Sequence, residues 1–170
     1  MPRIIISPLK SIGEMAARHG AREMITLIAE DHNFHRPGLI DPARHLNVTV
    51  NDITFAGKEG LIAPAESHVE AIVDFARAWD QASPLLIHCW MGVSRSPAAA
   101  LIAALAADPG LDDAELAANL RRASPQATPN SRLIEFGDAY LGRSGRLVAA
   151  VKSIGRGADY VGEAPFVLDF

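Results

Sequence analysis

The sequence predicts an α/β fold: a single domain built on a central, mostly parallel sheet of about four to five strands flanked by helices. Three observations point there. Short β-branched runs alternate with helical patterns through the first half of the chain. The run "PLLIHC", residues 84–89, is apolar over a strand's length, as expected of a strand covered on both faces. Beyond it the pattern becomes helical. A chain of 170 residues, 49% apolar and 21% charged, also has the size of one domain whose core needs no disulfide or metal staple.

Taken in order, "RIIIS" (residues 3–7) and "MITLIA" (residues 24–29) are rich in β-branched residues and predict strands, with "SIGEMAARHG" a short helix between them closed by Gly20. In "HLNVTVND" (residues 45–52), Leu46, Val48 and Val50 alternate with Asn47, Thr49 and Asn51, the period of a half-buried strand. A loop with Gly57 and Gly60 leads to "APAESHVEAIVDFARAWDQ", where Val69, Ile72, Val73, Phe75, Ala76 and Trp79 recur near helical spacing and Pro64 suits a helix start. After "PLLIHC", three helices are expected. The first covers residues 94–107, the second is "DDAELAANLRRAS" with Asp112 or Asp113 as N-cap, and the third is "PNSRLIEFGDAYLG" with Pro129 near its start. Residues 1–155 are expected to form the domain. Residues 156–170, with Gly157, Gly162 and Pro165 and no strong period, read as a tail packed on the domain or on a partner.

The net charge of −4 and a pI near 5.8 argue against a general nucleic-acid binder, since no basic tract could neutralise a row of phosphates. The start "MPRIIISPLKSIG" lacks the apolar segment of a secretory signal, and no stretch approaches the ~18 residues of a membrane span. A cytoplasmic protein without membrane contact is the expectation. One cysteine excludes an internal disulfide, so Cys89 is either a small buried hydrophobe or a reactive thiol.

Its surroundings favour the second. In open α/β sheets, ligand sites form beyond the carboxyl ends of strands, and Cys89 occupies such an end. Five residues, Trp90, Met91, Gly92, Val93 and Ser94, separate it from Arg95, and Ser96 and Pro97 follow at once, so the loop runs straight into a helix. Such a loop can curl until its N–H groups point inward, Gly92 relieving the tightest turn. Inward N–H groups and the positive end of a helix make a cradle of phosphate size. Arg95 adds a planar fork suited to two oxygens of an oxyanion. The same field favours a thiolate at Cys89, a nucleophile aimed at phosphorus.

"HCWMGVSRS" resembles the His-Cys-five residues-Arg-Ser signature of the cysteine-dependent protein tyrosine phosphatase superfamily. "GVSRS" is most similar to the dual-specificity branch, here in a bacterial form, and the resemblance extends over about residues 24–141. It implies the protein tyrosine phosphatase fold and a metal-independent phosphomonoester hydrolase. Cys89 would attack phosphorus, Arg95 would bind the equatorial oxygens, and Ser96 would ease departure of the thiolate. His88 would order the loop from the side away from substrate, and Asn130 in "TPNS" would support it or cap a helix. "VTVNDI" is similar to the strand that carries the family's general-acid aspartate, which favours Asp52. From the residues alone Asp31, after another strand, fits as well, and Asp41 would follow if both failed.

The chemistry implied calls for no cofactor. The substrate would be a phosphorylated protein, on tyrosine or also on serine and threonine, or another phosphomonoester, and free phosphate or sulfate should bind the loop. A phosphate-binding module without turnover, a sulfur transferase and a phosphatase of an inositol phosphate are the alternatives. Trp90 and Met91 depart from the small or polar residues common after the cysteine, leaving pocket depth open, and the loop lacks the lysines of lipid-phosphate members. His32 and His35 have no third metal ligand nearby; with Arg36, Arg44 and His45 they read as a substrate-facing rim.

Overall fold

A computed structural model describes residues 1–162 and 164–170. Five strands form one sheet: β1 (Arg3–Pro8), β2 (Glu23–Ile28), β3 (His45–Thr49), β4 (Leu85–Cys89) and β5 (Phe166–Asp169), in the order β3-β2-β4-β1-β5. The first four run parallel and β5 pairs antiparallel to β1, so β4 lies at the centre. Every residue of β4 is buried, the outcome expected for a strand enclosed on both faces.

The pleat divides the core. Ile4, Ile6, Ile25, Leu27, Leu85, Ile87 and Cys89 face a thick helical layer formed by α2 (Glu66–Ala78), α3 (Arg95–Ala107), α4 (Asp113–Ala123), α5 (Ser131–Tyr140) and α6 (Arg146–Ile154). Ile5, Met24 and Leu86 face the thinner layer of α1 (Ile12–His19), with Ile40 and Phe34 completing it. Helix α3 lies deepest. Its residues from Arg95 to Ala106 are all buried, and its alanines let the sheet, α2 and α5 approach from different sides. A Cβ on Gly137 of α5 would come within 2.6 Å of Ile102, so α5 meets α3 where only hydrogen fits.

Local chemistry ends most elements where expected. Gly20 closes α1 in the left-handed region at φ 67°, and Asp112 caps α4 by accepting from the Glu115 N–H. Several boundaries differ, these four among them. The β3 pairing stops at Thr49 rather than Asp52; α2 starts at Glu66, two residues after Pro64; Ser94 caps α3 rather than joining it; and Pro129 precedes Asn130, the true cap of α5. Among the strands and α-helices of the described residues, two have no counterpart in the sequence reading. One is α6. The other is β5, which the segment read as an aperiodic tail contributes to the sheet edge, with Leu168 fully buried and Phe170 near Trp79.

Candidate active site

The pleat that sends Leu85 and Ile87 into the α3 layer also aims Cys89 there, at the carboxyl end of the central strand. The chain then leaves the sheet and turns back into α3. Gly92 makes the turn possible at φ 75°, and a Cβ at that position would stand 2.9 Å from the Pro8 nitrogen and 3.0 Å from the Ser7 carbonyl carbon. Glycine is required twice over, for its dihedral and for its lack of bulk.

The loop carbonyls are tied outward. Leu9 N–H donates to Trp90 O at 3.1 Å, Thr128 N–H to Val93 O at 2.8 Å, and Asn130 N–H to Ser94 O at 3.1 Å. In a trans peptide the N–H opposes its carbonyl, so the N–H groups of Met91, Ser94 and Arg95 turn toward the concave side. Gly92 N–H donates to Cys89 Sγ at 3.2 Å, and the Ser96 hydroxyl stands 3.1 Å from the same sulfur. The sulfur thus lies within reach of a main-chain N–H and a hydroxyl, just before the 13-residue α3.

Arg95 is 8% exposed. Its Nη1 donates to Val50 O at 2.8 Å, which fixes the guanidinium, while Nε is buried with no protein acceptor. A buried guanidinium N–H without a partner is costly. An oxyanion resting on the loop would relieve it. The donors present therefore suit a tetrahedral anion.

Asp52 reaches the same cavity, which measures about 430 Å³ and is lined by Cys89, Arg95, Trp90, Met91 and His32 among others. Ser94 Oγ at 2.7 Å and Asn130 Nδ2 at 2.8 Å both donate to Asp52 Oδ1. Asn130 also donates to Ile53 O and accepts from the Leu133 N–H, so one side chain caps α5 and steadies the aspartate segment. Its main-chain N–H reaches the loop at Ser94 O. The other candidate acids lie elsewhere: Asp31 lines a separate hollow with Glu30 and Leu61, and Asp41 accepts from the Ala43 N–H in a short 3-10 turn.

His88 points to the α1 face, opposite the sulfur, and is fully buried. Its Nε2 lies 2.7 Å from Thr26 Oγ1, and its Nδ1 is 3.3 Å from the Cys89 carbonyl oxygen. Burial lowers its pKa to about 4, so the ring is neutral at neutral pH.

Of the expected basic rim, His32 lines the cavity, exposed His35 is not among its lining residues, and the other three are turned away. His32 stacks on Trp90 with ring centroids 4.4 Å apart, and both line the cavity. Arg36 is turned to Ile40 O, Arg44 pairs with Glu23 and Asp80, and His45 points to Thr26. Local partners took these side chains, which a sequence of charges could not reveal. A larger hollow of about 590 Å³ lies between α4 and β5; its lining, including Leu116, Arg122 and Phe170, contains no cysteine, serine, threonine or histidine. Among the described residues no cluster of three or more metal-ligating side chains occurs, and no helix is long and apolar enough to cross a membrane.

No family model matches the chain, and no curated protein matches it in sequence. Solved structures do match in shape. Human DUSP28 superposes with a TM-score of 0.60 at 22% identity over 81% of this chain and 93% of that one. DUSP15 gives a TM-score of 0.64 at 15% identity over 91% of each. The Yvh1 phosphatase domain from Chaetomium thermophilum gives 0.53 at 18% identity, covering 86% of this chain and 99% of the other. The fold is that of the dual-specificity phosphatases.

Proposed function

We propose that the protein is a cysteine-dependent phosphomonoester hydrolase of the protein tyrosine and dual-specificity kind, acting on aryl phosphates such as phosphotyrosine in proteins within the cytoplasm. The observation that carries the reading is the company kept by Cys89 Sγ: Ser96 Oγ and Gly92 N–H on the sulfur, the partnerless Arg95 Nε beside it, and Asp52 across the same cavity.

The phosphoryl oxygens rest on the loop N–H groups and the Arg95 fork while the Cys89 thiolate attacks phosphorus. As the P–O bond to the leaving group breaks, Asp52 gives that oxygen its proton. Both bonds to Asp52 fall on Oδ1, which leaves Oδ2 open to the leaving-group oxygen. The products of this step are an alcohol or phenol and a cysteinyl-phosphate. Water then attacks phosphorus, Asp52 takes the water proton, and the S–P bond breaks to release phosphate. The departing sulfur regains its bond from the Ser96 hydroxyl. No cofactor enters either step.

The aryl preference is supported by Trp90 and His32, which set two stacked rings along the wall where the leaving group lies. Arg95 is the one Lys or Arg side chain in that lining, which argues against a polyphosphorylated inositol that needs several cations.

Hydrolysis of p-nitrophenyl phosphate in the presence of a chelator tests the reading. Wild type turns over at pH 5 to 7, Cys89→Ser is inactive, Asp52→Asn loses roughly 10²-fold, and inorganic phosphate or sulfate inhibits competitively. A well-folded wild type that binds a phosphopeptide without hydrolysing it would leave a binding module instead.

A further inference from the structure

On the α1 face, among Ile5, Met24 and Leu86, three polar side chains stand in a row across three strands: His45 of β3, Thr26 of β2 and His88 of β4. Thr26 Oγ1 is 2.8 Å from His45 Nε2 and 2.7 Å from His88 Nε2. Phe34 packs edge-on to both imidazoles, with centroid distances of 5.9 and 5.3 Å. Polar groups so enclosed must be paired, and these are.

Their hydrogens can be assigned by counting. A hydroxyl has one proton, so Thr26 donates to one imidazole and accepts from the other. The far end decides which. His88 Nδ1 faces the Cys89 carbonyl, which can only accept, so Nδ1 bears the proton. Burial lowers the pKa of both histidines to about 4, and a neutral imidazole has one N–H. His88 Nε2 is therefore bare and accepts from the Thr26 hydroxyl. The Thr26 oxygen then accepts from His45 Nε2–H.

We propose that His45 is a positioning residue for the Cys89 nucleophile, the terminal donor of a one-way hydrogen-bond chain running through Thr26 and His88 to the Cys89 carbonyl. The proposal rests on the reading of Cys89 as nucleophile. Its physical content is a tautomer. While His45 supplies a proton to Thr26, the hydroxyl proton is turned to His88 Nε2, each bond polarises the next, and Nδ1–H stays on the peptide from which the phosphate loop departs. Without that donor the His88 proton can move to Nε2 and bond Thr26. Nδ1 then meets the Cys89 carbonyl lone pair to lone pair, and the peptide carrying the sulfur is pushed from its place. Sequence alone does not join these residues, because they come from three strands.

Nuclear magnetic resonance of protein labelled with 15N-histidine reads the tautomers directly in the wild type. His45 as Nε2–H and His88 as Nδ1–H are expected; the reverse pair overturns the proposal. Function is read by the rate of Cys89 alkylation with iodoacetamide near pH 6, Cys89 being the sole cysteine, and by kcat on an aryl phosphate. His45→Leu should slow both about fivefold with little change in KM, the effect of losing one hydrogen bond. His45→Gln, whose amide keeps an N–H donor, should come back to within about twofold. An alkylation rate and a His88 tautomer unchanged in His45→Leu would also overturn the proposal. Because tautomer and alkylation need no turnover, a protein that hydrolyses no phosphate but responds in both would refute the phosphatase reading and leave this one standing.

Discussion

Trp90 follows Cys89 directly, yet 46% of it remains exposed. A side chain of that size is normally buried further, and here its ring lies against that of His32. With Met91 it raises one wall of the cavity, and a flat leaving group gains ring contact that an alkyl chain cannot match. Trp90→Ala is expected to reduce kcat/KM for p-nitrophenyl phosphate about fivefold relative to that for a phosphoserine peptide. Measured side by side, an unchanged ratio would deny the tryptophan any part in selecting the leaving group. The oddity of Trp90 is visible in the sequence, but its partner is not, since His32 arrives from the segment after β2.

The loop from Cys89 to Arg95 is only as well formed as the elements that clasp it. Its carbonyls are held by Leu9 after β1 and by Thr128 and Asn130 before α5, while its tightest turn lies against the backbone of Ser7 and Pro8. Gly92→Ala would place a methyl 2.9 Å from a main-chain nitrogen that cannot swing aside, in a left-handed conformation that a side chain disfavours. The loop should shift and turnover fall by roughly 10²-fold, as displacements near 1 Å can do. Thermal melting alongside the activity assay checks that the fold survives; wild-type turnover in this variant would contradict the clasp. A second element-level test concerns Arg143. From the loop after α5 it pairs with Asp113 at the start of α4 through two bonds of 3.0 and 2.6 Å, both side chains being buried. Asp113→Ala leaves that guanidinium uncompensated and should destabilise the protein by about 3 to 5 kcal/mol in urea unfolding. Replacing both residues by apolar ones should cost far less.

For the whole molecule, the buried histidines imply a weakness toward acid. Burial lowers the pKa of His88 and His45 from 6.5 to about 4, so below pH 6.5 the unfolded chain takes up protons that the folded one refuses. Stability present at neutral pH is thus lost as the pH falls from 6.5 toward 4. His88 alone accounts for about 1.5 kcal/mol between pH 6.5 and 5, and half-exposed His45 for less. Glu23, whose carboxyl is raised by burial, works in the opposite direction. Urea midpoints at those two pH values should differ in wild type and differ less in His88→Gln; equal slopes would mean that the ring is not held neutral. Strand and helix order, the central place of β4 and the contiguous loop from His88 to Ser96 were legible because each depends on neighbours a few residues away. Hydrophobic period, helix caps and the reach from Cys89 to Arg95 are local geometry. The edge strand β5 was not legible, because a segment with Gly157, Gly162 and Pro165 becomes a strand only when β1 offers an unpaired edge. Nor could the sequence choose between Asp31 and Asp52, both at strand ends. Only the tertiary structure brings Asp52 under Ser94 and Asn130 and sends Asp31 to another hollow, because bonds between residues so far apart in the chain exist only after the sheet and helices have packed.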